Sequence, residues 1–192
     1  MALTLARTDM RFGEAVALKW SDIDFNGRFI TVQRSYSSGK YLSTPKNSKS
    51  RRVDMSLQLT ETLWMLKRER ERILNDNMPE WIFHNQAGNL MNARNWRSRV
   101  FNKALDKAEL RHIRIHDLRH TFASLLLQAG ESMVYVRDQL GHSSIKVTVD
   151  IYGHLVPGGN KEAVDRLDDP QIPQQSATYP QPPTKKTQPH LA

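Results

Sequence analysis

The stretch RIHDLRHTFA, residues 114 to 123, places His116, Arg119 and His120 at positions i, i+3 and i+4. Side chains with that spacing share one face of a helix, so an imidazole, a guanidinium and a second imidazole can converge on one point. Three chemistries compete for such a cluster. A zinc site needs two His at i, i+4, but the metalloprotease helix carries Glu after its first His, where this chain has Asp117. The absence of cysteine excludes a thiolate zinc cluster, and no metal is expected here. A solvated helix N-terminus and a phosphate site remain. In the latter, the Arg fork grips two anionic oxygens beside a His that moves a proton.

Composition bears on that choice. The 192 residues carry 28 Lys and Arg against 20 Asp and Glu, a formal charge of +8, which favours a polyanionic partner. Nucleic acid leads and an anionic membrane is the alternative. Mean hydropathy is −0.61 and no apolar run approaches the roughly 18 residues of a spanning helix. The opening MALTLARTDMRFGE lacks a signal-peptide core and cleavage site, and the lack of cysteine fits a reducing interior, so a cytoplasmic location is expected.

The elements that must position the cluster follow from periodicity. The chain opens in apolar residues without a lead-in, as a helix entered part-way, and reads as a fragment of something longer. Glu14 to Trp20 has helical spacing, and Ser21 and Asp22 start a turn. GRFITVQ alternates Phe29 and Thr31 against Ile30 and Val32, a strand pattern. SYSSGKYLSTPK predicts a hairpin around Ser37, Ser38 and Gly39, and RRVDM a third strand, giving a small three-stranded antiparallel sheet. From Leu57 the period becomes helical, with Leu59, Leu63, Leu66 and Ile73 on one face and KRERER on the solvated one. Trp81 to Phe83 is expected to be extended. Further helices are predicted over 92–108, 116–129, 132–140 and 160–167, with Gly130 and Gly141 as left-handed caps. Leu118, Phe122, Leu125 and Leu126 read as core. The fold class is therefore α+β, mainly α-helical. Residues 1–169 form one domain, and 170–192, with six prolines, a disordered tail.

Four stretches in order, TDMRFGEAVALKWSDID, TPKNSKSRRV, HDLRHTFASLLLQAG and QLGHSSIKVTVDIYGHL, resemble the catalytic domain of the tyrosine recombinases, the phage integrase family. The resemblance covers Leu3 to Asp169 and ends in LGH and YGH, with His142 and Tyr152 ten residues apart. It implies that Arg11 and Arg119 are the catalytic arginines, Lys46 the hairpin lysine, His116 the partner of Arg119 and the proton acceptor, and His142 a hydrogen-bond donor. Tyr152 is then the nucleophile, with Glu14 and His120 as supporting residues. Two planar guanidiniums suit a scissile phosphate because they bind two oxygens each and do not titrate, whereas Lys46 can shed a proton to the leaving 5′-oxygen. Lys49 competes with Lys46 for that role.

The implied function is site-specific breakage and rejoining of double-stranded DNA through a 3′-phosphotyrosine. No cofactor is expected, because the covalent link keeps the phosphodiester energy. The resemblance also implies a tetramer on DNA, assembled through residues 160–167, from a protein that is monomeric in free solution. Two alternatives stay open: an inactive DNA-binding remnant, and, less well matched, a type IB topoisomerase. Two features depart from the family pattern. Asp9 stands where a small residue is usual before Met10 and Arg11, and no N-terminal core-binding domain is visible.

Overall fold

The computed structural model describes residues 1–37, 41–43, 50–156 and 161–167. The chain divides into a unit spanning Met1–Val156 and a second spanning Pro157–Ala192. In the first, helix α1 (Ala2–Thr8) ends at Asp9 in the left-handed region, φ 59°, and α2 (Phe12–Val16) follows. Strands β1 (Ile23–Asp24), β2 (Phe29–Val32), β3 (Ser35–Ser37), β4 (Tyr41–Ser43) and β5 (Arg51–Asp54) come next. Then come α3 (Leu57–Leu74), α4 (Ala93–Trp96), a π-helical turn Arg97–Phe101 and α5 (Asn102–Lys107). The unit closes with α6 (Ile115–Gln128), α7 (Met133–Leu140) and α8 (Ile145–Tyr152). Of the second unit, α9 (Lys161–Asp165) is described, and the tail predicted over 170–192 lies outside the described residues.

The antiparallel three-stranded sheet exists, but its order is β1-β2-β5, and the hairpin β3–β4 forms a sheet of its own. The predicted hairpin is not part of that sheet, and Ile23–Asp24, whose two residues carry no periodic signal, supplies the third strand. Ile30 and Val32 alternate inward from β2, and Ile30 sits opposite the buried Val53 of β5. Each such side chain contributes about 1.5–3 kcal/mol when fully buried. The predicted helix 14–20 instead stops at Val16. Beyond it the backbone pairs with a distant segment: Ile82 N donates to the Leu18 carbonyl at 2.9 Å, and Trp20 N donates to that of Glu80 at 3.3 Å. Trp81 is correspondingly extended, in a bridge to Lys19. In α3, capped by Ser56, Leu59 and Leu63 face the core as expected, but Ile73 is 61% exposed. Leu125 of α6, expected in the core, is 48% exposed.

Two apolar clusters hold the unit together. The larger joins Leu5, Leu18, the β2–β5 pair, α3, Ile82, Trp96 and Phe101. The smaller consists of Ala123 and Leu127 from α6, Val136 and Leu140 from α7, and Tyr152 from α8. Gln139 of α7 stitches the sheet to the second cluster: its Oε1 accepts from Asp54 N at 2.9 Å and its carbonyl from Arg51 Nε at 3.3 Å. Gly130 and Gly141 adopt positive φ after their helices, as expected of left-handed caps. No helix among the described residues is long and apolar enough to cross a membrane.

Candidate active site

Arg11 occupies the link between α1 and α2, at the N-cap of α2. Glu14, buried to 2% exposure, organises the surroundings. Its Oε2 accepts from the Arg11 backbone N–H at 2.8 Å, and Oε1 from Arg11 Nη1 at 3.2 Å. The same carboxylate takes a two-pronged bond from Arg51, Nη1 to Oε1 at 2.9 Å and Nη2 to Oε2 at 2.8 Å. Burial alone would raise the Glu14 carboxyl, but the hydrogen bonds and charge of Arg51, with those of Arg11, outweigh it and hold the carboxyl below its ordinary value. Arg51 spends its fork on Glu14, so Arg11, whose side chain is 43% exposed, is the guanidinium left facing outward.

Arg51 is the residue the sequence reading missed. A signal was there: Arg51 precedes Val53 and Met55 by two and four, so β5 turns it to the same inward face, and an inward charge demands a buried partner. The close passage of its stem past Gly141 had no local signal. A Cβ on Gly141 would lie 2.6 Å from Arg51 Cδ, and the residue has φ +62°. Gly141→Ala is therefore expected to destabilise the protein by about 1–3 kcal/mol through left-handed strain and displacement of Arg51. Chemical denaturation measures this, and an unchanged midpoint would refute it.

Arg119, 5% exposed, bridges two backbone segments. Nη1 donates to the Asp9 carbonyl at 2.9 Å and Nη2 to the Leu140 carbonyl at 2.6 Å, tying the α1–α2 link to the end of α7. Nη1 also lies 2.9 Å from Asp9 Oδ2. That approach lacks hydrogen-bond alignment, and both Asp9 carboxylate oxygens are buried without a hydrogen-bond partner. Burial accordingly pushes the Asp9 carboxyl well above its usual range, against the pull of Arg119. The departure at Asp9 thus acts on Arg119, 110 residues away, rather than chiefly on its neighbour Arg11.

Arg11, Arg119 and His116 line one cleft of about 370 Å³, joined by Arg97 and Arg114. Burial first, and then the charges of His120, Arg119, Arg11 and Arg114, lower the His116 imidazole. Tyr152, at the end of α8, has its ring in the smaller core cluster and its hydroxyl 2.8 Å from His120 Nδ1. Burial, then Asp9, raises the phenol, with Arg119 opposing. At rest it is a phenol, not a phenolate. His142 follows the Gly141 cap, and its Nδ1 lies 3.0 Å from Thr148 Oγ1. Burial and then the fields of Arg119, Arg11 and Arg51 lower it to about 4, so it is neutral at pH 7. The structure therefore gathers Arg11, His116 and Arg119 on one cleft, puts His120 rather than His116 on Tyr152, and sets His142 in the field of the same arginines. Lys46 and Lys49 lie outside the described residues.

A helical domain with a small sheet thus presents the guanidiniums of Arg11, Arg97, Arg114 and Arg119 and the imidazole of His116 to one cleft. The chain belongs to the phage integrase family, whose model matches residues 1–157. It is 35% identical over 171 residues to the ICEBs1 integrase of Bacillus subtilis (strain 168), covering 84% of this chain and 46% of that protein. It is 30% identical over 183 residues to a XerC-like tyrosine recombinase of Caldanaerobacter subterraneus subsp. tengcongensis, with the same two coverages of 84% and 46%. The chain thus spans about half the length of these curated relatives. Among solved structures, XerA recombinase superposes with a TM-score of 0.64 at 27% identity, over 86% of this chain and 55% of that one. The fold also matches the Tn1549 transposon integrase in complex with circular intermediate DNA, TM-score 0.67 at 22% identity, over 87% and 58% of the two chains.

Proposed function

We propose that this chain carries the strand-transfer chemistry of a site-specific DNA recombinase or integrase. The observation that supports it best is the cleft lined by Arg11, His116 and Arg119, with His120, one turn after His116 on α6, against the Tyr152 hydroxyl. In this reading Arg11 and Arg119 hold the non-bridging oxygens of the scissile phosphate and offset the charge that builds up in the transition state. Tyr152 Oη attacks phosphorus, forming a 3′-phosphotyrosine, and the bond to the 5′-oxygen breaks. Neutral His142 and His116 each offer a ring N–H to a phosphate oxygen without adding charge. Attack of a new 5′-hydroxyl reverses the step and releases Tyr152. Double-stranded DNA is the partner, bound partly through a basic surface, so affinity falls steeply with salt. The test is covalent trapping on nicked duplex DNA: a denaturant-resistant adduct supports the reading, and salt-sensitive binding without an adduct selects the DNA-binding remnant.

Lys46 is assigned as the acid that protonates the departing 5′-oxygen. Lys46→Ala is expected to slow cleavage by about a hundredfold or more. A substrate with sulfur at the bridging 5′ position should recover most of that loss, since a thiolate leaves without a proton. Rescue of Lys49→Ala instead would transfer the assignment to Lys49. We further assign assembly on DNA, from a monomer in free solution to a tetramer, to contacts made by residues 160–167. Sedimentation with and without DNA checks this, and a tetramer in the absence of DNA would contradict it.

A further inference from the structure

We propose that His120 is the group that removes the phenolic proton of Tyr152, a catalytic role that the family resemblance gives to His116. The inference rests on the reading of Tyr152 as the nucleophile. Its basis is geometric. Among the described residues, the hydrogen-bond partner of the Tyr152 hydroxyl is His120 Nδ1, at 2.8 Å. The His116 ring stands edge-on to His120 with centroids 5.0 Å apart, and lines the cleft beside Arg11 and Arg119 instead.

The contact is built into the fold rather than left to a mobile side chain. His120, Ala123 and Leu127 lie at i, i+3 and i+7 on α6, so the face that buries Ala123 and Leu127 in the smaller core also turns His120 inward. Tyr152 enters the same core from α8 and is 4% exposed. Packing of α6 and α8 on one cluster therefore sets the distance between acceptor and phenol. A buried phenol needs such an acceptor, because water has little access to its proton.

The step balances without any added reactant. As Tyr152 Oη forms its bond to phosphorus, the O–H electron pair stays on oxygen and the proton passes to His120 Nδ1. The P–O5′ bond breaks with its electrons on the leaving oxygen, which takes a proton from the acid assigned above. In the reverse direction the imidazolium returns its proton to the departing phenolate. Nδ1 can act so only in the tautomer that carries hydrogen on Nε2. Among the described residues, the ionisable groups that face His120 are His116 and Asp117 on its own helix and Tyr152 on α8. Asp117 is engaged by Arg114, with Oδ1 accepting from Nη2 at 2.8 Å.

Two measurements test this on the full 192-residue chain. The first is the ¹⁵N resonance pattern of His120 in the free protein at pH 8, where Nδ1 is expected to be unprotonated. A hydrogen on Nδ1, donated to the phenol, would overturn the proposal whatever the activity. The second uses a duplex pool of randomised sequence bearing a bridging 5′-phosphorothiolate, so that adduct formation no longer depends on the general acid. His120→Asn keeps an acceptor near the Nδ1 position but cannot take the proton. It is expected to slow adduct formation by about a hundredfold at pH 7, with the deficit shrinking as pH rises towards 10 and hydroxide replaces the base. His116→Asn should show no such convergence. Wild-type speed in His120→Asn, or a deficit constant across pH, would overturn the proposal, leaving His120 as packing alone. An adduct formed by Tyr152→Phe would instead overturn the nucleophile assignment beneath it, so the two failures are separable.

Discussion

Tyr152→Phe is expected to abolish the denaturant-resistant protein–DNA adduct while leaving non-covalent DNA affinity nearly unchanged. Only the attacking oxygen is removed. The ring remains in its cluster with Ala123, Leu127, Val136 and Leu140, so the packing that positions α8 survives. The one hydrogen bond lost is that between the hydroxyl and His120, worth about 1 kcal/mol of stability. Adduct formation on nicked duplex DNA, read on a denaturing gel beside equilibrium binding, checks both halves of the expectation. A surviving adduct would move the nucleophile to another tyrosine, and a collapse in affinity would mean that Tyr152 shapes the DNA surface.

Arg119→Lys is expected to be nearly as damaging as Arg119→Ala, with adduct formation slowed by at least about a hundredfold. The guanidinium makes two demands that an ammonium cannot meet together. It donates to the carbonyls of Asp9 and Leu140 from separate nitrogens, and it lines the cleft with Arg11 and His116. A lysine is a point charge on a flexible stem and reaches one of these at a time. Whichever carbonyl it abandons is a buried acceptor without a partner, at a cost of about 1–3 kcal/mol. Burial next to Asp9 adds a second difficulty, since lysine sheds its proton far more readily than arginine when desolvated. The variant should therefore unfold at lower temperature as well as react slowly. Cleavage at the wild-type rate by the lysine variant would reduce Arg119 to a structural role.

Arg119 also shows why the departure at Asp9 matters. Where the resemblance implies a small residue, a carboxylate lies buried beside Arg119, the guanidinium assigned above to the phosphate. Asp9 can hold its left-handed backbone because a short polar side chain tolerates that region better than most. Its carboxyl is raised by burial and sits against Arg119 without aligned hydrogen bonds.

What the sequence determined on its own is whatever a short-range period or a close neighbour can specify. The α6 spacing places His116, Arg119 and His120 on adjoining turns, Glu14 lies three residues from Arg11 and reaches back to it, and Gly141 ends α7 with a left-handed turn ahead of His142. The mainly helical class with a small antiparallel sheet was legible for the same reason. Only the tertiary structure decided who meets whom across long separations. Glu14 is claimed by Arg51, 37 residues on, and Arg119 by the Asp9 carbonyl, 110 residues back. Tyr152 meets His120 rather than His116, although the two imidazoles stand one turn apart on the same helix. The helix predicted to run to Trp20 yields at Val16 because the segment 80–82 offers its backbone a partner. Ile73 and Leu125 share the period of core residues and still face outward, since the stripe that a helix buries is set by the width of what packs against it. Periodicity states which side chains share a face. Which of them reaches a given atom depends on helix rotation and packing distance, and those are properties of the closed core.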